Sequence, residues 1–566
     1  MVSLKFNRLL VKSDTEKSAN QFEFAPELNL VKANDNSLGK STLVRLLFWG
    51  LGCEPYLDST WKAFDCKTIV DFSINGVRYQ VFRYKNIVRL EKDQKITEFS
   101  SITGSYSELF MDLVNFKAVL TKRKSVEVET PPPAYYFLPF YVDQTRSWSK
   151  AWDCFDKLGQ YERWQSTIIK YHVGYLTAKY FEIAQEIAKR KLEFNELQDQ
   201  INSYESVINT ICEFIPRGNE TLVEDDFLVL TDEVKLRMKD LSVRQETMLE
   251  NIANEEANYA HLHQQFVISG NIIAELDKDY VFAVENVSND EIECPLCGVI
   301  HANTVVNRAS ILTDKQQAVE QYEYLDSKLA KSREKIEKNK KEIEYIRREI
   351  KELNEKYGKD DENDLNTIVE KFAFTSLEEK VKTSKERERL KCEDLDSQIK
   401  QFRKDQKNVA PSKDEQDIMT DFFIKTLYAF VEKLKAGGIN LSEINKPTDG
   451  SKIVKEGGDA ERTRGILAFY LATYAMIQKY SSEVIAPLVI DTPNQQEQSI
   501  SNYDKIVDLL TNDLPINSQI FVCAMENPQL APYEKKAKVI KLDDRKILHR
   551  SKYEVVKNEF SVFETS

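Results

Sequence analysis

No run of 18 apolar residues occurs in this 566-residue chain, and only five of its residues are histidine. The first absence excludes a membrane-spanning helix. The second, with no clustering of His and Asp, argues against a metallonuclease centre, whose metals need such ligands. Glycine (17) and proline (15) are few while 30% of residues are charged, a balance that favours long helices over a string of compact domains. Eight cysteines are spread over the length with only two close together, so a reducing compartment is expected and a disulfide framework is not. The N-terminus opens on strand-like Val2-Ser-Leu-Lys-Phe6 and lacks a basic, apolar leader. A net charge of −13 argues against a surface coated with cations, although a local basic patch remains open. Together these features predict a soluble, cytoplasmic protein with no membrane partner.

What the chain does have is a phosphate-binding loop, Asn34-Asp-Asn-Ser-Leu-Gly39-Lys40-Ser41-Thr42, between an apolar strand (28–31) and an apolar helix (43–51). Phosphate binding needs backbone N–H groups converging at a helix N-terminus, a lysine for the β and γ phosphates and a hydroxyl for Mg²⁺. Gly39, Lys40 and Ser41 supply them. Asn34 stands where the motif has its first glycine, and asparagine tolerates left-handed backbone better than most residues. A carboxylate, Asp491, ends the buried-type strand Pro487-Leu-Val-Ile490 some 450 residues later. For it to reach a magnesium ion held by Ser41 the chain must travel out, turn and return beside itself.

The intervening pattern suits that path. Residues 71–83 alternate around Asn75-Gly76, a strong hairpin signal. From about 161 to 407 the sequence reads as helical. Tyr322, Leu329, Ile336, Ile343 and Ile350 recur every seven residues with Leu325, Ile346 and Leu353 three further on, a heptad weakened at Ser332 and Asn339. Two breaks, near 215–227 and 357–365, flank a Cys294-Pro-Leu-Cys297-Gly298 turn and fall roughly abreast, so they read as one elbow. At about 1.5 Å per residue, an arm of roughly 110 residues would reach no more than about 160 Å, and bending at the elbow would shorten that. The expected organisation is an N-terminal half of a head (1–160), an outgoing arm (161–290), a tip (291–302), a returning arm (303–410) and a C-terminal half of the head (411–566). Within the last segment, 485–490 and 519–524 read as buried strands, and 539–542 and 554–556 as edge strands.

Asn36, Gly39-Lys40-Ser41-Thr42-Leu43, the Cys-Pro-Leu-Cys tip, Gly457-Gly458 and the Asp491 strand occur in the order found in SMC-like ABC ATPases, and the chain resembles their zinc-hook branch of DNA-repair and phage-defence proteins. The segments Phe140-Tyr-Val-Asp-Gln144 and Ile490-Asp-Thr-Pro-Asn-Gln-Gln496 are most similar to the SMC-like subunit of Lamassu-type bacterial anti-phage systems. The resemblance implies an α/β ABC-type ATPase head assembled from both ends of the chain, with an antiparallel coiled-coil hairpin tipped by a zinc hook. It places Gln144 as the Q-loop glutamine on Mg²⁺ beside Ser41 and Asp491. Glu456-Gly457-Gly458 would be the signature that closes over ATP of the opposite protomer, with Glu456 replacing the family serine. The glutamate that serves as general base is replaced by Thr492. Glu497 is the nearest carboxylate that can polarise water, with Gln495 and Gln496 to position it, although Glu497 reads equally as a helix cap. The strand at 519–527 occupies the place of the family's switch-histidine segment without a histidine, and Glu526 would stand in as the polar sensor.

Cys294 and Cys297 give half of a tetrahedral zinc site, which a second chain meeting tip to tip would complete. His301 as an internal third ligand, or two metal-free thiols, are the other readings. Lys122-Arg123-Lys124, with Arg45, Lys62 and Lys67 nearby in sequence, is the clearest cationic cluster for a DNA backbone, and a solvated loop explains it as well. The resemblance thus implies ATP, Mg²⁺ and Zn²⁺ as cofactors and a homodimer joined at heads and tips. It also implies DNA as a ligand, and a nuclease effector and an accessory subunit as partners, in anti-phage or anti-plasmid defence. A repair ATPase working with a nuclease on broken DNA, or an ATP-dependent switch without turnover, are the alternatives.

Overall fold

The computed structural model describes the chain except residues 1, 36–37, 59–60, 62–64, 124, 215–231, 289–290, 294–299, 304, 358–364, 438, 454–458, 495–497, 515–517, 543–546 and 565–566. It divides into two units, Met1–Leu192 with Gln398–Ser566, and Glu193–Ser397. Among the described residues no helix is long and apolar enough to cross a membrane.

The first unit is built on two sheets. Strands β1 (Leu4–Ser13), β2 (Ser18–Glu23), β4 (Cys66–Ile74), β5 (Val77–Tyr84), β6 (Ile87–Lys92) and β7 (Lys95–Phe99) form an antiparallel sheet in the order β2-β1-β4-β5-β6-β7. Asn75 and Gly76 are both left-handed (φ 53° and 81°) and close the β4–β5 hairpin, because a tight turn of this hand follows the twist of its strands. A small ladder of β8 (Leu120–Thr121) and β9 (Val128–Glu129) stands apart.

The second sheet is all parallel and draws on both ends of the chain. Its order is β10 (Tyr141–Val142), β13 (Leu488–Asp491), β14 (Ile520–Met525), β3 (Leu28–Ala33) and β15 (Lys538–Leu542). Parallel strands buried on both faces read as unbroken apolar runs, as 488–490 and 520–524 do. The buried Gln519 amide joins the sheets: its Oε1 accepts from Phe6 N (2.7 Å) and its Nε2 donates to the carbonyls of Phe6 and Ala25 (both 2.7 Å).

Residues 554–556, expected as an edge strand, instead lie in a helix, Tyr553–Glu564. Val556, Phe560 and Phe563 recur at helical spacing and pack on Leu10, Ile69 and Phe82, covering the antiparallel sheet. Arg8 to Glu559, and Lys12 and Lys67 to Glu564, pin that helix by its charges.

In the second unit the helices Asp232–Glu285 and Val305–Tyr357 pack along the heptad seam. Ile346 and Ile350 meet Val234, Met238 and Leu241, while Ile336 and Ile343 meet Leu249 and Ile252. Paired positions rise along one helix as they fall along the other: Arg244 with Glu349, Glu255 with Lys335, Asp277 with Lys315. The weak seam position Ser332 is buried and donates to Glu255 Oε2 (3.0 Å), so its polarity is satisfied. Leu377 and Val381, beyond the second break, and Tyr204, before the first, join the same cluster as Leu249 and Ile336. Within this unit the helices on either side of each break therefore fold back on one another. The breaks themselves lie largely outside the described residues. At the tip, β11 (Glu291–Glu293) pairs with β12 (Ile300–Ala302), Glu293 opposite Ile300. The buried Asn303 donates to the carbonyls of Ala283 and Asn286 and so caps the helix that leads into this hairpin.

Candidate functional site

Three segments meet where β3 and β13 end. Gly39 adopts φ 87° at the start of α1 (Lys40–Gly50) and, as a glycine, offers no side chain to cap the first-turn N–H groups. A Cβ on Gly39 would come within 2.4 Å of Ile547, hence both the left-handed turn and the close packing require glycine here. Lys40 is almost wholly buried; its ammonium donates to the Asp35 carbonyl (2.9 Å), and burial lowers its pKa against the pull of Cys523, Asp491 and Asp35. Thr42 follows in the same helical turn.

The Ser41 hydroxyl donates to Gln144 Oε1 at 2.6 Å and lies within hydrogen-bond reach of the Asp491 carboxylate. Burial pushes the Asp491 carboxyl up to about 6, and among the described residues its buried Oδ2 has no hydrogen-bond partner. A hydroxyl, an amide oxygen and an orphaned carboxylate oxygen are hard ligands, so this set fits a Mg²⁺ ion. Elsewhere, among the described residues, no group of three or more His, Cys, Asp or Glu is placed to hold a metal.

Two groups around this set were not legible as site residues. Asp143, next to Gln144, accepts from Arg45 (3.0 Å) and Tyr141 through Oδ1, and from Thr145 and Arg146 N through Oδ2. Burial raises its pKa, but Arg45 and the Thr145 bonds outweigh that and leave it below the usual carboxylate value. Its position after the strand residues Tyr141-Val142 was the available signal. Trp148 Nε1 donates to the Asp491 carbonyl (3.1 Å), holding the segment after Gln144 against the end of β13.

Thr492, next to Asp491, is left-handed (φ 59°), an uncommon state for a β-branched residue. Its hydroxyl donates to Asp491 Oδ1 (3.1 Å) and its N–H to the Cys523 carbonyl (2.9 Å).

The remaining expected residues fall elsewhere. Glu526 is exposed, with its carboxylate 3.3 Å from Lys541 and 4.0 Å from Lys32. Lys122 sits between Glu129 (2.9 Å) and Glu127 (3.6 Å), Arg45 is paired with Asp143, and Lys67 with Asp14 and Glu564, so each of these three cations has an acidic partner. Arg123 donates its backbone N–H to Gln160 O (3.3 Å). Asn36, Lys62, Lys124, Cys294, Cys297, Glu456, Gly457, Gly458, Gln495, Gln496 and Glu497 lie outside the described residues.

No family model matches the chain. It is 22% identical over 537 residues to the Lamassu protein LmuB of Bacillus cereus (strain VD014), covering 93% of the chain and 91% of that protein. It is 21% identical over 579 residues to LmuB of Bacillus sp. (strain NCIM 5461 / CCTCC AB 2011126 / NIO-1130), covering 99% of both. Among solved structures it is similar to the Smc head domain with a coiled coil and joint derived from Pyrococcus yayanosii, at 12% identity, 98% and 99% coverage and a TM-score of 0.35.

Proposed function

We propose, from the premise that this chain is an SMC-like homologue of the Lamassu protein LmuB, that it is an ABC-type ATPase. Its head pairs with that of a second copy around ATP, senses DNA and controls an effector such as a nuclease, with an accessory subunit, in bacterial anti-phage defence. The observation that carries this reading is the meeting of Ser41, Gln144 and the orphaned Asp491 oxygen beside Lys40, from parts of the chain more than 300 residues apart. The Lys40 ammonium and the N–H groups at the start of α1 bind phosphates. Ser41, Gln144 and Asp491 hold Mg²⁺, which when bound neutralises phosphate charge. Glu456-Gly457-Gly458 acts in trans on the partner's ATP. With Lys122 compensated by two glutamates, phosphate-backbone contact from the 122–124 cluster rests on Arg123 and Lys124.

Thr492 leaves the base position without a carboxylate, and Glu497, with Gln495 and Gln496, takes over water activation. Glu497→Gln is therefore expected to slow single-turnover hydrolysis by about 10²-fold, the upper scale of a lost general base being roughly 10⁴, with ATP affinity unchanged. Unchanged hydrolysis makes Glu497 a helix cap. If the wild-type protein binds ATP and never turns it over, the chain is a nucleotide-dependent switch, the second reading that Thr492 favours.

At the tip, the proposal is an antiparallel hairpin whose Cys294 and Cys297 share one zinc ion with the same pair of a second copy. The β11–β12 ladder brackets that turn and supports it. Metal analysis with light scattering should find about one zinc per two chains, and Cys294→Ser with Cys297→Ser should lose the zinc and separate the tips with the heads still folded. One zinc per chain would favour His301 as an internal ligand, and tips that pair without zinc would sink the hook.

A further inference from the structure

Away from the phosphate loop, the interior holds a titratable pair that the proposed reaction does not use. His172 and Glu483 both have side chains with no exposure, and Nδ1 of the imidazole lies 2.6 Å from Glu483 Oε1. The other ring nitrogen, Nε2, lies 3.1 Å from the Tyr135 carbonyl. A carbonyl only accepts, so Nε2 carries a proton, and the short approach of Nδ1 to a carboxylate requires a second proton between them. The surroundings are otherwise aromatic, with the rings of Phe116, Tyr136 and Phe140 around the imidazole. Burial pushes the Glu483 carboxyl up against the pull of His172 and a bond from Ser481, and among the described residues its Oε2 has no hydrogen-bond partner. A well-packed apolar pair would serve stability here as well or better, so the polar pair calls for another reason.

That reason lies in what the three residues precede. Tyr135 opens the segment that becomes β10 and reaches Gln144, and Glu483 opens the one that becomes β13 and reaches Asp491. The two strands pair in parallel, Tyr141 with Val489 and Val142 with Ile490. This contact is only two residues long, too short to set its own register, and a one-residue slip would turn every side chain to the other face. His172 ends the helix Trp164–His172 and bonds the upstream end of both segments at once. We propose that His172, with Glu483, is a positioning pair that pins the register of β10 against β13 and thereby brings Gln144 and Asp491 together at Ser41. The helix carrying His172 is followed closely by Ala178–Phe214, so the pin also ties the start of the outgoing helix to the metal-side residues. The assignment rests on the reading of Gln144 and Asp491 as Mg²⁺ ligands.

The test compares His172→Phe/Glu483→Leu, an apolar pair suited to the aromatic shell, with Glu483→Gln. In the latter the new side-chain amide donates to Nδ1 while Nε2–H stays on Tyr135, so the pin survives without charge. The apolar pair should raise the Mg²⁺ concentration for half-maximal ATP turnover about tenfold, leave Mg²⁺-free binding of a fluorescent ATP analogue unchanged, and speed amide exchange at 141–144 and 488–492 relative to the β14–β3 ladder. Glu483→Gln should stay within about twofold of wild type in all three. Wild-type exchange and Mg²⁺ dependence in a folded apolar variant overturn the pin, as does a Glu483→Gln variant that behaves like the apolar one. Should the apolar pair not fold, His172→Gln, which keeps at most one of the two bonds, is read by the same exchange measurement: faster exchange at those amides supports the pin and unchanged exchange overturns it. Hydrogen exchange needs no turnover, so a chain without ATPase activity refutes the proposed function and leaves the pin to be decided by exchange alone.

Discussion

A Lys40→Ala chain is expected to lose ATP binding by on the order of 100-fold or more while keeping its fold. The ammonium is the one lysine of the loop, and charge-assisted bonds to phosphate contribute about 1.5–3 kcal/mol each, so losing two of them is worth two or more powers of ten. The fold should tolerate the change because Lys40 does not hold it together. Its ammonium bonds the carbonyl of Asp35, and burial lowers its pKa, so the folded protein holds this cation at some expense. Titration with a fluorescent ATP analogue beside a thermal melt separates the two effects. Undiminished affinity would remove the foundation of the ATPase reading, and a collapsed melting transition would show that the loop folds around the lysine.

The parts of this architecture that were readable in advance are those in which a local pattern carries its own physics. An apolar strand, a Gly-Lys-Ser-Thr turn and an apolar helix can be read in place, and so can the Asn75-Gly76 hairpin, since its left-handed residues are written into the sequence. The buried runs at 488–490 and 520–524 announce central parallel strands. What stayed hidden depends on partners far away in sequence. A heptad says which face of a helix is apolar and nothing about which helix covers it, so the two breaks read as an elbow while the cluster in which Tyr204, Leu249, Ile336 and Leu377 meet does not show in the sequence. In sequence Arg45 belongs to a basic neighbourhood, whereas its partner Asp143 lies almost a hundred residues on. Taken alone, residues 554–556 read as a strand, while the spacing of Val556, Phe560 and Phe563 that marks the helix Tyr553–Glu564 extends beyond them.

Asp491→Asn carries the other large effect, with opposite consequences for stability and function. The side chain is fully buried, and burial places its carboxyl at about 6, above the usual value near 3.9. A group with a raised folded-state pKa favours the native state at low pH, and that contribution is lost as pH rises through the folded value. In metal-free buffer at pH 8 the ionised Asp491 is therefore a burden, one that an isosteric neutral amide removes. Thr492 Oγ1–H keeps an acceptor in the oxygen of that amide, so the melting temperature in EDTA should equal or exceed that of wild type. With Mg²⁺ and ATP the order reverses. The orphaned Oδ2 that suits a cation is replaced by an NH₂ donor, and Mg²⁺ should raise the melting temperature of wild type but not of the variant. ATP turnover should fall by about 10²-fold or more, the scale of losing one preorganised charge at a phosphoryl-transfer site. Melting curves with and without Mg²⁺ decide the matter before any activity is measured. A variant that Mg²⁺ and ATP stabilise as strongly as wild type would mean that Asp491 does not hold the metal, and Ser41 and Gln144 would then need another carboxylate beside them.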